Sequence, residues 1–374
     1  MWAAGIVRIV FILSGLGAGG AEKVVNLLAH HRRAQGDIVH VIATNSENPR
    51  SYFPYDQSIQ VEAIGRLQEN SGIRATLGKL LRLRRRLREI SPDLVISFLT
   101  KVNVLAGLAT MGLGTATIMS ERNNFRLQSM NLVWRSIAPV TAHRAAALVM
   151  QTDFARSLLP KPLRSRAVVI PNPVALSGKP VRAPGDGARF VAVGRLDKQK
   201  GFDLLLEAFP DVAKRVPSAT LSIFGEGPER SSLEQQVRKL EIADRVRMPG
   251  ITTSPGEWLA AGDVFVLSSR FEGFPNVLLE ALMAGLATVA FDCPWGPAEI
   301  LHGDDVGLLV PASDVGLLAK ALVRVATDQV LREKLAASGP RVAARYAKPV
   351  VFAQWDDVIA DATVGRPIGL AAAS

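Results

Sequence analysis

The sequence is poor in cysteine, histidine and aromatic residues. Cys293 is the single cysteine among 374 residues, so no intramolecular disulfide can form, and we expect a reducing compartment. The five histidines are scattered and do not have the spacing of metal ligands. Aromatic residues make up 6% of the chain and do not alternate with basic ones. The composition therefore predicts a protein with no metal site and no nucleic-acid partner.

Long hydrophobic runs are also missing. Residues 102–119 are mildly apolar, but Asn103 and several glycines interrupt them, so we interpret them as a packed helix and turn. Residues 6–13 resemble the apolar part of a signal peptide, yet Arg8 interrupts them and no basic segment precedes them. A buried parallel strand explains this run better. We therefore expect neither secretion nor a transmembrane anchor.

Positive charge is concentrated in the first half of the chain. Residues 1–175 carry 22 Lys and Arg against 10 Asp and Glu, a net charge of +12, whereas the remainder has a net charge of −2. Such an asymmetry indicates that one domain faces an anionic surface. A membrane leaflet or a phosphorylated lipid fits this composition better than nucleic acid does.

A predicted amphipathic helix at residues 77–88 holds the densest basic segment. Arg82, Arg85 and Arg86 on this helix are candidates to contact an acceptor phosphate or an anionic leaflet. A solvated helix face is the alternative interpretation. The apolar residues have mostly helical spacing and are expected to face the core: Leu77, Leu80, Leu81, Leu83, Leu87 and Ile90.

Short apolar runs alternate with helical stretches along the chain, which is typical of parallel βαβ units. A turn-rich, weakly apolar segment at residues 177–187 indicates a linker between two doubly wound sheets. Ligands of such sheets bind at the carboxyl ends of the strands. The predicted strands are 7–13, 38–43, 94–98, 116–120, 147–151 and 167–170 before the linker, and 190–193, 220–224, 246–248, 264–267 and 288–291 after it.

Two segments of the second half carry the functional signal. In the first, residues 194–201, the cations Arg195 and Lys200 follow a short apolar strand. In the second, residues 272–281, Glu272 and Glu280 flank Pro275, a residue suited to the first turn of a helix. Cations and a helix N-terminus suit a diphosphate, and carboxylates accept hydrogen bonds from sugar hydroxyls. The pattern therefore predicts a binding site for a nucleotide sugar.

These two segments resemble the retaining glycosyltransferases of the family numbered four. The resemblance covers nearly the whole chain and implies an α/β GT-B fold, in which two doubly wound Rossmann-like domains face each other across a cleft. It implies an acceptor domain at 1–175, a donor domain at 176–349 and a helix at about 350–374 that crosses back onto the first domain. Four further segments occur in the family's order: Gly19-Gly20-Ala21-Glu22, Pro171-Asn172-Pro173-Val174, Gly225-Glu226-Gly227-Pro228 and Gly307-Leu308-Leu309-Val310-Pro311.

The resemblance also implies roles for individual residues. Arg195 and Lys200 would stabilise the diphosphate leaving group, Glu272 would bind the donor sugar, and Glu280, about two turns inside its helix, would hold the ribose. Small residues and backbone groups would surround the donor: Gly17, Gly19, Gly20, Gly194, Gly225, Gly227, Ile251, Gly273, Phe274, Pro275, Asn276 and Val277. No metal and no cofactor are expected, since the UDP-sugar is a substrate and cations already face its diphosphate.

The glycine-rich loop at residues 15–20 allows a different interpretation. It matches the dinucleotide-binding pattern G-x-G-x-x-G after a strand, which favours a nicotinamide or flavin enzyme. The acidic residue expected at the end of the second strand is missing, because Ala43-Thr44-Asn45 stands there. In the resembled family the same loop borders the donor phosphates and the acceptor.

Residues 120–124 follow a predicted strand end, and Glu121, Arg122 and Asn123 are candidates to contact the acceptor. Many members of the family carry a histidine near this point, but this chain has none there, so that histidine's role is not carried over. Together with residues 293–299, this segment looks most like members that build lipid-linked bacterial polysaccharide or glycan units.

We therefore expect a cytoplasmic enzyme, peripheral on the inner face of the cell membrane. It would transfer a hexose or N-acetylhexosamine, with retention, from a UDP-sugar to a lipid-linked saccharide. A non-hydrolysing UDP-sugar epimerase of the same fold and the dinucleotide-dependent oxidoreductase are the alternatives. A sugar-nucleotide sensor without activity is disfavoured by the presence of all four charged residues of the predicted donor site.

Overall fold

The computed structural model describes residues 5–65, 72–122, 132–174, 176, 188–252, 255–303 and 305–363. It divides into two compact units. The first consists of Met1–Pro171 and Val351–Ser374, and the second of Asn172–Val350. Asn123 lies outside the described residues.

The first unit is built on a seven-stranded sheet with the order β3-β2-β1-β4-β5-β6-β7. All neighbouring strands are parallel. The order reverses between β1 and β4, as in doubly wound nucleotide-binding folds. The strands are β1 (Arg8–Leu13), β2 (Ile38–Ala43), β3 (Gln60–Ala63), β4 (Leu94–Phe98), β5 (Ala116–Ser120), β6 (Ala147–Met150) and β7 (Ala167–Val169).

Helices cover both faces of this sheet. The described helices are α1 (Gly20–Ala34), α2 (Ile73–Ile90), α3 (Thr100–Thr110), α4 (Leu132–Arg144), α5 (Asp153–Ser157) and α6 (Lys161–Arg164), and α14 (Lys348–Thr363) joins them at the end of the chain. One core contains apolar residues of α1 and α14, with Trp355 fully buried. The core on the opposite face contains Leu83 and Leu87 of α2 and Val102 of α3. Because both faces are covered, the central strands are continuous apolar runs.

The second unit has a six-stranded parallel sheet with the order β10-β9-β8-β11-β12-β13. This order again reverses once, between β8 and β11. The strands are β8 (Arg189–Val193), β9 (Thr220–Phe224), β10 (Val246–Gly250), β11 (Val264–Leu267), β12 (Ala287–Asp292) and β13 (Leu308–Pro311).

Two helical layers enclose the second sheet as well. Its helices are α7 (Phe202–Arg215), α8 (Arg230–Lys239), α9 (Pro255–Ala260), α10 (Asn276–Met283), α11 (Pro297–Ile300), α12 (Val315–Thr327) and α13 (Gln329–Ala343). Neighbouring residues of β8 point to opposite layers: Phe190 packs with α7 and α12, and Val191 packs with α9 and α10. The alternation follows from the two-residue period of a strand.

The predicted fold class is confirmed, and each predicted strand is present with ends that differ by at most two residues. Two strands were not among those predicted, β3 and β13, which lie at sheet edges and have only four residues each. The sequence of β3, Gln60-Val61-Glu62-Ala63, alternates polar and apolar residues, as an edge strand can because helices cover it less completely. The sequence of β13 is apolar, but this strand is short and ends in a proline, which is typical of a sheet edge.

The orientation of α2 differs from the prediction at two positions. Leu77 and Leu81 were expected in the core, but both are exposed. The other predicted core residues of this helix are buried or partly buried: Leu80, Leu83, Leu87 and Ile90. At 100° per residue these four positions span an arc of about 80° of the helix surface, and Leu77 and Leu81 lie outside that arc.

Candidate active site

The two segments that carry cations and carboxylates meet at one point of the second unit. Residues 194–201 follow β8, and residues 268–275 follow β11. These strands are hydrogen-bonded neighbours, and the strand order reverses between them. Loops that leave parallel strands at a reversal point run in opposite directions and leave a crevice between them. The tertiary arrangement therefore joins two segments that lie about 70 residues apart.

An ion pair joins these two loops. Lys200 Nζ donates to Glu272 Oε1 over 2.7 Å, and the two side chains are 19% and 5% exposed. Ser269 Oγ donates to the same carboxylate oxygen over 2.6 Å. The stem of Lys200 lies against Gly194, since a Cβ at that glycine would lie 3.1 Å from Lys200 Cε. The pair is therefore held in place from both loops and largely shielded from water.

Arg195 occupies a different environment on the first loop. Its side chain is 70% exposed and donates from Nε to Asp197 Oδ2 over 2.5 Å. Asp197 also accepts from the Lys200 N–H, which caps the 3₁₀ turn Lys198–Lys200. An exposed ion pair of this kind contributes little to stability. The guanidinium can therefore leave Asp197 for a bound anion at small cost.

Two glycines bring the loop after β9 against the loop after β8. Gly225 has a φ of +140°, and a Cβ there would lie 1.9 Å from the Gly194 carbonyl oxygen. A Cβ at Gly227 would lie 2.4 Å from the Leu196 carbonyl oxygen. Both contacts are with backbone, which cannot move aside, so only glycine fits at these positions. Both glycines therefore allow two loops of the protein to lie against each other, and their predicted place around the donor stays a prediction.

The loop before α10 and the first turn of this helix hold five further predicted donor residues. Phe274 is buried with its ring 5.8 Å from that of Tyr346, and Asn276 Oδ1 accepts from the Asn172 amide over 2.7 Å. The helix begins at Asn276, and Pro275, which was predicted to lie in its first turn, is its cap. Gly273 precedes these residues in the loop, and Val277 follows them in the first turn.

Glu280 is buried on α10 and lies just over one turn from the start of the helix, not the two turns predicted. Ile251 follows β10 at the carboxyl edge of the same sheet and is 69% exposed. The predicted roles of these residues toward ribose and base stay predictions.

Sequence reasoning assigned no role in the site to three of its neighbours: Ser269, Asn172 and Cys293. Cys293 follows β12 and is buried, and burial together with the charge of Glu272 raises the pKa of its thiol to about 12, against the opposing effect of Lys200. The next residue, Pro294, accepts a hydrogen bond from the Glu272 N–H over 3.1 Å. No spacing rule links these residues to Glu272, because the contacts arise from adjacent strand ends.

In the first unit the glycine loop follows β1 at the reversal point of that sheet. Gly20 begins α1 with Gly19 as its cap, and a Cβ at Gly19 would lie 2.2 Å from Glu22 Oε2. A Cβ at Gly17 would meet nothing within 4 Å. Burial raises the pKa of Glu22, whose carboxyl lies under this loop.

The position of the missing acidic residue is filled by neutral side chains. Asn45 follows β2, and its amide donates to Ser14 Oγ over 2.8 Å. Asn45 Oδ1 accepts from Lys79 Nζ over 2.6 Å. A dinucleotide fold needs a carboxylate here for the ribose. The local chemistry therefore does not favour the oxidoreductase.

Glu121 and Arg122 lie at the end of β5 and are both buried. Glu121 Oε2 accepts from Thr100 Oγ1 over 2.6 Å. Arg122 donates to Ser120 Oγ over 2.8 Å, and its guanidinium lies 5.5 Å from the Trp355 ring. Burial lowers the pKa of Arg122. Arg122 thus packs between the sheet and α14. An acceptor role for Glu121 and Arg122 stays a prediction.

Among the residues that the structure describes, no group of three or more His, Cys, Asp and Glu side chains is arranged to hold a metal ion. Within the same described ranges, none of the helices combines the length and apolar character needed to cross a membrane.

Comparison with known proteins identifies related chains over nearly the full length. A family model described as Glycosyltransferase Family 4 matches residues 18–177, and one described as Glycosyl transferases group 1 matches residues 187–328. A phosphatidyl-myo-inositol mannosyltransferase of Mycobacterium leprae is 30% identical over 353 residues, which cover 90% of this chain and 91% of that protein.

Two further comparisons carry more chemical detail. The N-acetylgalactosamine-N,N'-diacetylbacillosaminyl-diphospho-undecaprenol 4-alpha-N-acetylgalactosaminyltransferase of Campylobacter jejuni is 27% identical over 87% of this chain and 91% of its own length. The crystal structure of Anabaena Alr3699/HepE in complex with UDP superposes with a TM-score of 0.77 at 18% identity, and covers 94% of this chain and 99% of that one. At this identity the second likeness shows the fold, which is GT-B.

Substitution of Gly225 tests the close contact between the loops that follow β8 and β9. Gly225→Ala should lower the free energy of unfolding by about 3 kcal/mol, because the new Cβ clashes with backbone and φ stays positive. Gly316→Ala is the matched control: this glycine lies near the start of α12, where a Cβ would touch only Asp314 Oδ1 at 3.7 Å. The control should be neutral or slightly stabilising. Equal urea midpoints for both variants would contradict the proposed backbone contact.

Proposed function

Because this chain belongs to glycosyltransferase family 4, the group 1 glycosyl transferases, we propose that it transfers a hexose or N-acetylhexosamine from a UDP-sugar to a lipid-linked saccharide. The product would be a growing bacterial polysaccharide or glycan. Relatives support both substrates: one family member is named for a diphospho-undecaprenol acceptor, and one structural neighbour is described in complex with UDP.

The ion pair between Lys200 and Glu272 carries this proposal. It lies at the reversal point of the second sheet, where ligands of doubly wound folds bind. In the absence of a donor, the carboxylate neutralises the amine. A diphosphate that enters the crevice offers Lys200 a stronger partner, and Glu272 is then free to accept hydrogen bonds from the donor sugar. Binding of the diphosphate therefore separates the ion pair and makes Lys200 and Glu272 available to the donor at the same time.

Arg195 supplies the second cation of the site. Its exposed side chain leaves Asp197 at little cost and can follow the charge that grows on the departing phosphate. Glu280, on the first turns of α10, is proposed to hold the ribose hydroxyls, and Ile251 to border the base. The donor would then span the carboxyl ends of β8, β10 and β11.

We propose that transfer proceeds with retention by attack on the same face. The bond between the anomeric carbon and the phosphate oxygen breaks, and the acceptor oxygen bonds to that carbon from the side the phosphate leaves. The departing phosphate oxygen takes the acceptor proton. Arg195 and Lys200 lower the barrier because both have moved onto the bound diphosphate before negative charge develops on it.

The proposal assigns the acceptor to the first unit, where the net charge of residues 1–175 is +12. A diphosphate-linked lipid carries the opposite charge. Glu121 is the candidate to contact the acceptor sugar, and the enzyme is proposed to act as a peripheral protein on the inner face of the cell membrane. No metal and no further cofactor belong to the proposed reaction, because the two cations supply the charge that a metal would.

Reaction products separate this function from its alternatives. Incubation with a panel of UDP-sugars and a short lipid-diphosphate saccharide, in the presence of EDTA, should yield UDP and an extended saccharide. An epimerised UDP-sugar, or binding without turnover, would contradict the transfer reaction. Activity that disappears with EDTA and returns with Mg²⁺ or Mn²⁺ would contradict the role given to the cations.

Removal of either cation should slow the chemistry. Arg195→Ala and Lys200→Ala are expected to lower kcat on the order of a hundredfold, the usual effect of losing one group that stabilises transition-state charge. Lys198→Ala is the matched control, because this exposed lysine lies in the same 3₁₀ turn and removes the same charge. Near-normal kcat in both test variants, or an equal loss in the control, would contradict a diphosphate role.

The two carboxylates should differ in their effect on UDP. Glu272→Gln should reduce transfer but leave UDP affinity equal to or tighter than that of the wild type, because Lys200 loses its competing partner. Glu280→Gln should weaken UDP binding about tenfold, because its proposed partner is the ribose. Calorimetric titration with UDP measures both effects. Glu207→Gln, on the exposed side of α7, is the control. The opposite order of affinities would reverse the two assignments.

A further inference from the structure

The arginines of α2 divide into two groups with different surroundings. Arg86 makes a two-pronged contact with Glu62 on β3, over 2.6 and 2.7 Å. Arg84 donates to the carbonyl oxygens of Ala109 and Met111 at the end of α3, over 2.8 and 2.7 Å. These arginines stabilise the fold of the first unit.

Arg82 belongs to the same inward group. Its Nε donates to the Ile64 carbonyl oxygen over 3.0 Å, next to the end of β3. Two of the three arginines predicted to meet an anionic partner, Arg82 and Arg86, are therefore engaged with neighbouring elements, whereas Arg85 pairs with Glu89 on the exposed side of the helix over 2.9 Å. This helix therefore presents fewer positive charges to a partner than the number of arginines in its sequence indicates.

A second group of residues forms one exposed stripe. At 100° per residue, Arg74, Leu77, Leu81, Arg85 and Arg88 fall within an arc of about 80°. All five are exposed: Leu77 by 51%, Leu81 by 66%, and the Arg85 side chain by 83%. We call these five residues the docking face. It combines three cations with two large apolar side chains, a pairing that an ordinary solvated helix does not need.

The docking face begins at the edge of the sheet where ligands bind. Lys79 on the same helix donates to Asn45, which follows the carboxyl end of β2. Asn45 in turn donates to Ser14 at the end of β1, beside the glycine loop. A surface that held the docking face would therefore lie beside the loops to which the acceptor is assigned.

We infer that the docking face seats the protein on an anionic lipid surface. Arginine side chains meet lipid phosphates, and the two leucines enter the boundary between headgroups and acyl chains. The charge of the first unit complements such a surface, and the exposed leucines favour a lipid over a soluble phosphate. The docking face is inferred from the structure of the first unit. Its purpose, to bring the enzyme to a lipid-linked acceptor, rests on the proposed function.

Vesicle binding tests the inference directly. The full chain should co-sediment with vesicles of equal parts phosphatidylglycerol and phosphatidylcholine at low salt, and added salt should weaken this binding steeply. The variant Arg74→Gln, Arg85→Gln, Arg88→Gln should bind about a hundredfold more weakly. The variant Leu77→Gln, Leu81→Gln should bind about tenfold more weakly while keeping the salt dependence, because only the apolar contact is removed.

Matched controls separate the docking face from net charge and general apolar exposure. The variant Lys214→Gln, Arg238→Gln, Lys239→Gln removes the same three positive charges from exposed positions of the second unit. Leu317→Gln with Val330→Gln removes two exposed apolar side chains there. Both controls should bind vesicles as the wild type does, and UDP affinity should be equal in all variants, which shows that they are folded.

Three outcomes would overturn the inference: wild-type protein that ignores anionic vesicles, docking-face variants that bind undiminished, or charge controls that lose as much binding. Binding only to soluble inorganic phosphate, with no preference for vesicles, would overturn it too. Transfer to a detergent-dispersed short-chain acceptor is measured on the wild-type preparation. Absence of transfer contradicts the proposed function alone, and transfer without vesicle binding contradicts the docking face alone.

Discussion

Parallel strand pairing is the constraint from which the candidate site follows. A parallel strand is followed by a connection that returns over a face of the sheet, so all carboxyl ends meet at one edge. In the second unit the order reverses between β8 and β11, which places the Gly194 and Glu272 loops side by side. The pair between Lys200 and Glu272 is a consequence of that topology, because no local sequence signal joins the two residues.

Backbone contacts of two glycines and a side-chain hydrogen bond help to hold the loops at this edge. Gly225 and Gly227 press directly on the carbonyl groups of Gly194 and Leu196, while Asn172 fixes the first residue of α10. Groups that act on developing charge must be in place before the reaction, because reorganisation adds to the barrier. Close glycine contacts provide that rigidity without occupying the crevice.

Charge in the first unit serves two purposes. Arg84 and Arg86 complete hydrogen bonds of neighbouring elements, and Arg122 lies buried against Trp355 on the helix that returns from the end of the chain. Only part of the basic excess is thus available to a partner. The exposed part is ordered by helix geometry into a stripe with two leucines, which is why a surface rather than a small anion is its inferred partner.

The fold class and most strands could be predicted from the amino-acid sequence, and the donor site that it indicates stays a prediction. Apolar runs buried on both faces are continuous, and cations and carboxylates near strand ends have few structural uses. Which residues meet depends on the folded chain: Ser269 and Cys293 lie beside Glu272 because neighbouring strands end there, and the sequence assigned neither residue a role in the site. The folded chain also decides which side of α2 faces solvent. The helical period shows on which side of the helix the apolar residues lie, but it does not show how many of them the sheet covers.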